Sequence, residues 1–256
     1  MMPMEKENSK SQEFEPANFY SFTLEGLQDY LKKFGKEKFR AQQIYKWVYE
    51  SRVNNVDEMS NLSKDFRSEL KQILKFEMPP VIKHLVSVDG TQKFLFDVKD
   101  GNTVEAVVIP SDDRLTLCIS SEIGCNMACK FCFTGKQKLK RRLTADEIVG
   151  QFMQVHDSLK REGLGRRISN IVFMGMGEPL HNEAVLHEAL ESLTQTHCFD
   201  LAPAHICVST VGIPAAMVRL AQRFPRVRLA LSLHSARQDV RSRLIPLARH
   251  HDLDEL

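Results

Sequence analysis

The sequence predicts an α/β protein: a parallel βα sheet, preceded by a small helical unit and a short antiparallel β-meander. Three observations carry that expectation. Apolar residues from Leu24 to Leu74 recur at helical spacing. After Pro79-Pro80 the period changes to the alternation of strands joined by tight turns. From Leu115 onward, short apolar strands alternate with helical segments, which implies parallel strands and right-handed crossovers.

Residues 1–18 are rich in Glu, Lys, Ser and Pro and read as a disordered leader. Residues 19–80 form the helical unit, in which Leu24, Leu27, Tyr30 and Leu31 share one face. Phe39, Ile44, Trp47 and Val48 share a second face, and Phe66, Leu70, Ile73 and Leu74 a third, with Ser63 placed as an N-cap. Residues 81–110 hold the meander: Lys83–Val88, the turn Asp89-Gly90, Phe94–Val98, the turn Asp100-Gly101, and Val104–Ile109. Residues 111–256 hold the βα core, with strands at Leu115–Ile119, Ile171–Met174, Ile206–Val208 and Val227–Leu233. A capping box, Thr144 with Glu147, opens a helix to about Lys160; further helices cover roughly Asn182–Thr194 and Pro214–Arg223. Asp252 is placed as another helix cap.

Composition constrains the setting. A chain of 256 residues with 43% hydrophobic residues can bury a large core. The formal charge of +2 is close to neutral, so nucleic-acid binding requires local patches. No stretch resembles a signal peptide or a membrane span, and a cytoplasmic protein is expected. In that setting six cysteines argue against a disulfide framework.

Cys125, Cys129 and Cys132 stand in a C-x3-C-x2-C arrangement. Three thiolates so close suit a [4Fe-4S] cluster, which normally takes four cysteine ligands; supplying three leaves one iron open to a small molecule. In this spacing the triplet resembles that of radical S-adenosylmethionine (SAM) enzymes. Zinc is the competing reading, but a structural zinc site wants four ligands, commonly two C-x2-C pairs, and no second pair exists here. The unusual motifs all fall at carboxyl ends of strands: the cysteine loop, Gly175-Met176-Gly177-Glu178-Pro179, Ser209-Thr210 and Ser232-Leu233-His234. Open α/β sheets place their active sites along that edge.

Several segments together resemble the radical SAM RNA methyltransferases that methylate adenine C2 in large-subunit ribosomal RNA and some transfer RNAs. They are Phe39–Trp47, Met59–Lys64, Asp89–Phe96, Val104–Pro110, Thr116–Ser121 with the cysteine triplet, and Phe173–Leu180. The resemblance runs from about residue 20 to the end of the sequence. It implies a partial radical SAM barrel with one [4Fe-4S] cluster, held by Cys125, Cys129 and Cys132, and with S-adenosyl-L-methionine on the open iron. It implies that Gly177 and Glu178 bind the methionine amino group, while Ser209, Ser232, Leu233 and His234 complete the cofactor pocket. Glu105 matches the family's proton acceptor, and Cys118 the cysteine that resolves a protein–RNA crosslink. The implied partners are large-subunit rRNA, possible additional tRNA targets, and a reductase or flavodoxin-type electron donor, with the protein acting as a monomer.

The sequence also departs from the family pattern. The family's methyl-carrying cysteine falls beyond Leu256, and neither Cys198 nor Cys207 matches it, so a barrel shortened at its C-terminal end is expected. Glu122 stands where Gln is usual, Lys138 where Gly is usual, and Ala204-His205 where an Arg pair is usual. An adenine C8 paralogue and a non-catalytic RNA-binding form are the alternative readings. Residue by residue, Cys118 is alternatively a buried strand residue, Glu105 a surface carboxylate, and His234 an ordinary strand-end histidine. Lys130, Lys136, Lys138, Lys140, Arg141 and Arg142 form a basic run beside the cysteine loop, placed to meet RNA phosphates.

Overall fold

The structure is a computed structural model that describes residues 14–98, 100–163, 167–196 and 198–256. Of the expected leader, residues 1–13 lie outside the described residues. Residues 17–18 belong to the fold: Ala17 and Asn18 pair in parallel with Leu74 and Lys75.

The helical unit comprises α1 (Leu24–Lys32), α2 (Lys38–Tyr45) and α3 (Lys64–Ile73). Two of the helices begin at side-chain caps: Thr23 accepts the N–H of Gly26 at 3.1 Å, and Ser63 that of Phe66 at 3.3 Å. A π-helical turn, Lys46–Glu50, continues α2, so the Trp47 face runs past the regular helix.

Seven strands form one sheet: β1 (Val81–Val86), β2 (Gln92–Asp97), β3 (Thr103–Pro110), β4 (Leu115–Cys118), β5 (Ile168–Phe173), β6 (Ile206–Thr210) and β7 (Arg228–Leu231). Their order across the sheet is their order along the chain. Pairing is antiparallel from β1 to β4 and parallel from β4 to β7. The meander therefore extends the parallel core as one continuous surface.

Between the parallel strands run α4 (Ala145–Arg161), α5 (Glu183–Thr194) and α6 (Pro214–Arg223), followed by α7 (Gln238–Leu244). The expected capping box opens α4, with the N–H of Thr144 donating to Glu147 at 3.0 Å. The helix α7 was not expected from sequence. It has seven residues and a largely charged composition, too short for a periodic apolar face.

Strand alternation separates the two faces of the sheet. Val104, Ala106 and Val108 of β3 and Leu115 and Leu117 of β4 are buried, in one continuous apolar core that also holds α4, α5 and the helical unit. The compositional boundary near Pro80 is thus not a boundary between two cores. Glu105 and Val107 of β3, Thr116 and Cys118 of β4 and Ser209 of β6 point to the opposite, partly open face. Strands β1 and β7 are the two edges, so the barrel is open among the described residues.

Candidate active site

The cysteine loop leaves β4 and returns to α4. Its base is closed by antiparallel pairing of Glu122-Ile123 with Arg141-Arg142. Within it the N–H of Cys125 donates to Gln137 O at 3.2 Å, and that of Cys132 to Cys129 O at 3.1 Å. From behind, Lys130 N donates to Leu244 O at 2.9 Å, while Ile245 and Ala248 pack on Cys129. The end of α7 and the turn after it therefore brace the loop.

The turn after β5 approaches the loop closely. The N–H of Met176 donates to Ser120 Oγ at 2.9 Å, and Met176 O accepts from Ser121 N at 2.8 Å. Gly177 has φ +103°, and a Cβ there would lie 2.6 Å from Glu122 Cβ. Both the backbone conformation and the contact therefore require glycine.

Glu178 follows, buried, with Oε2 accepting Val211 N at 2.9 Å and Oε1 accepting Leu180 N at 3.2 Å. Burial pushes its carboxyl above the ordinary range, partly offset by hydrogen bonds from Val211, Thr210 and Leu180. Beneath it lies Glu122, fully buried, whose Oε2 accepts the N–H of Glu178 at 2.9 Å and whose Oε1 lies 2.7 Å from His181 Nδ1. Sequence reasoning marked Glu122 only as a departure from the family. Its role depends on an approach from residues more than fifty positions away.

Cys125, Cys129, Cys132, Gly177, Glu178, Ser209 and Ser232 all line one cavity of about 300 Å³. The hydroxyls of Ser209 and Ser232 lie 3.4 Å apart across the ends of β6 and β7. Leu233 and His234 are not among the lining residues; His234 has φ +55° and stacks at 3.6 Å on Phe131, which does line the cavity.

The donor set fits an iron–sulfur cluster. Burial, reinforced by nearby carboxylates and thiols, pushes Cys125 and Cys129 up to about 11. Such thiols are neutral at pH 7 by themselves and become thiolates when a cation binds. Three cysteines on one cavity give the three-thiolate donor set that leaves one corner of a cubane open.

A second, larger cavity of about 690 Å³ adjoins the first along the cysteine loop and the turn after β5. Glu105, Lys93, Phe133, Lys138, Lys140 and Met176 are among its lining residues. Glu105 is partly exposed and pairs with Lys93 at 2.7 Å. Cys118 lines neither cavity. It lies opposite Val107 on β3, so Glu105 is its diagonal neighbour on the same sheet face. Burial raises its thiol pKa, with the backbone at Met174 opposing the shift only in part.

The basic run divides in two. Lys130, Lys136, Lys138 and Lys140 are exposed. Arg141 instead grips Glu147 through Nη1 and Nη2, each at 2.7 Å, and Asp100 through Nε at 2.5 Å. Arg142 donates to His181 at 2.9 Å. The two arginines hold the base of the loop, and Arg142 is also exposed.

An open βα sheet with three cysteines looped over its carboxyl edge defines a radical SAM protein, and the Radical SAM superfamily model matches residues 121–255. Residues 17–76 match the model of the ribosomal RNA large subunit methyltransferase N-terminal domain. The dual-specificity RNA methyltransferase RlmN of Bdellovibrio bacteriovorus is 58% identical over 97% of this chain and 61% of its own length. That of Pelobacter propionicus is 41% identical, over 94% of this chain and 68% of its own. A radical SAM methyltransferase structure from Sphaerobacter thermophilus superposes with a TM-score of 0.85 at 36% identity, covering 94% of this chain and 70% of that one. The chain belongs to the RlmN family of radical SAM methyltransferases, and it spans about 61% of the Bdellovibrio relative.

Proposed function

We propose that this chain carries the cofactor site and part of the RNA site of a radical SAM methyltransferase acting on adenine C2. Large-subunit ribosomal RNA is its substrate, and transfer RNA a second one. The observation that carries the reading is the adjacency of the two cavities: the cysteine-lined one beside the lysine-lined one that contains Glu105.

When bound, a [4Fe-4S] cluster on Cys125, Cys129 and Cys132, with S-adenosyl-L-methionine, supplies one-electron cleavage of a sulfonium to a carbon radical. Gly177 and Glu178 hold the methionine ammonium, a charge-assisted contact. Ser209 and Ser232, with Leu233 and His234, orient the rest of the nucleotide. Glu105, oriented by Lys93, accepts the proton leaving the ring carbon. Cys118, on the same sheet face, would attack the sulfur of the methyl-carrying cysteine that the family resemblance implies: the disulfide forms, the sulfur–methylene bond to the base breaks, and the methylene carbon takes a proton. The adenine is unstacked to reach these groups, as a base must be when its ring is modified.

The exposed lysines of the loop meet backbone phosphates, and a reductase or flavodoxin-type protein supplies electrons. No helix among the described residues is long and apolar enough to cross a membrane. We place the protein in the cytoplasm, acting as a monomer.

Anaerobic reconstitution with iron and sulfide tests the site: about four irons per chain are expected, with 5′-deoxyadenosine released on reduction with SAM. In Cys129→Ala the iron content collapses, whereas Cys198→Ala and Cys207→Ala keep it. Zinc in place of iron in anaerobically purified protein overturns the radical reading. For the target, deletion of the gene should remove 2-methyladenosine from ribosomal RNA. Loss of 8-methyladenosine instead would assign the neighbouring carbon.

A further inference from the structure

Arg241 is the largest fully buried side chain of the described residues. Its guanidinium meets only carbonyl oxygens in its hydrogen bonds: Nη1 donates to Ser232 O at 2.8 Å and Leu233 O at 2.7 Å, and Nη2 to Val211 O at 2.5 Å. Its Nε has no hydrogen-bond partner, and no carboxylate is among the groups that act on its charge. Burying a cation without a carboxylate is costly, and a purely structural core position would be filled better by an apolar side chain.

Its three acceptors are informative. Val211 follows β6, and its N–H is the one that Glu178 accepts at 2.9 Å. Ser232 and Leu233 follow β7 where the chain bends into the positive φ of His234, and Ser232 Oγ faces Ser209 Oγ. One planar group thus spans the two strand ends of the cysteine-lined cavity. It projects from α7, the helix whose last carbonyl receives Lys130 of the cysteine loop, and Cys129 is near enough to interact with its charge.

We propose that Arg241 is the positioning residue for the SAM site. It fixes Val211, and through it Glu178, against Ser232 and Leu233, and it provides a buried positive charge beside an anionic thiolate–cofactor assembly. This rests on the SAM reading above. A lysine keeps the charge, but a single ammonium cannot reproduce the planar fork that reaches both strand ends.

The test compares Arg241→Lys, Arg241→Gln and, as a control on the same helix, Arg243→Lys in the reconstituted chain. Arg243 is exposed and pairs with Asp239. Iron per chain, melting temperature and SAM affinity, followed through the cluster's spectrum, are read together. We expect iron content close to wild type in all three. SAM affinity should fall about tenfold or more in Arg241→Lys, as the loss of a charged-group hydrogen bond implies, and further in Arg241→Gln. Arg243→Lys should bind as wild type does. If Arg241→Lys binds SAM as tightly as wild type, the proposal is wrong. If neither Arg241 variant folds, Arg241 is a determinant of the fold and the specific role is also overturned. Failure of the wild-type chain itself to bind SAM refutes the SAM reading instead, so the two failures are distinct.

Discussion

The carboxylate of Glu178 accepts the backbone N–H of Val211 at 2.9 Å, tying the turn after β5 to the end of β6. The same side chain accepts Leu180 N, so one residue satisfies two amides at the floor of the cysteine-lined cavity. Glu178→Ala should destabilise the cofactor-free protein by about 1–3 kcal/mol, the cost of leaving buried donors unpaired. Denaturant unfolding with an unchanged m-value measures it.

Glu178 also predicts a pH dependence. Burial raises its carboxyl pKa in the folded protein. The folded chain then holds its proton over a window where the unfolded chain, with a value of about 4.3, has released it. This contribution to stability is fully present below the unfolded value and is lost as pH rises through the folded one. Glu178→Gln keeps the shape and cannot ionise. The wild-type-minus-Gln stability difference should therefore shift against wild type from about pH 4 upward and then level off. A difference independent of pH would contradict the assignment.

Gly177 couples the two loops that form the site. An alanine there must adopt φ +103° and place its Cβ 2.6 Å from Glu122 Cβ, a side chain that cannot yield because it is fully buried. Gly177→Ala should cost more than about 1–3 kcal/mol, the range for a residue held in a disfavoured backbone region. A smaller loss would mean that the turn rearranges. In that case SAM affinity should fall while iron loading persists, since the cysteines lie on the other loop.

What the sequence made legible follows from locality. The cysteine triplet and the Gly-Met-Gly-Glu-Pro turn declare themselves within ten residues, and alternating strands and helices assign both to one edge of the sheet. The cap at Ser63 and the box at Thr144 are equally local. Glu122 and Arg241 were not legible as parts of the site, because each acquires its role from chain that arrives from elsewhere: His181 and Glu178 for one, Val211 and Ser232 for the other. The ion pairs of Arg141 were not legible for a related reason: Asp100 reaches it from the turn before β3.

Lys138 and Lys140 line the larger cavity, whereas Arg141 is occupied by Glu147, Asp100 and the carbonyl of Val98. Each phosphate contact releases condensed counterions, so losing one lowers the slope of log affinity against log salt by about 0.7 for single-stranded RNA. Lys138→Ala and Lys140→Ala should each weaken RNA binding, reduce that slope by about this amount and leave the melting temperature unchanged. Arg141→Ala should behave oppositely, lowering thermal stability by about 1–3 kcal/mol as it removes both guanidinium contacts of the partly buried Glu147 carboxylate and leaves it only the Thr144 N–H. Binding measured by fluorescence anisotropy across a salt series, beside thermal melts, separates the two classes. Equal salt slopes for wild type and both lysine variants would remove the larger cavity from the RNA path.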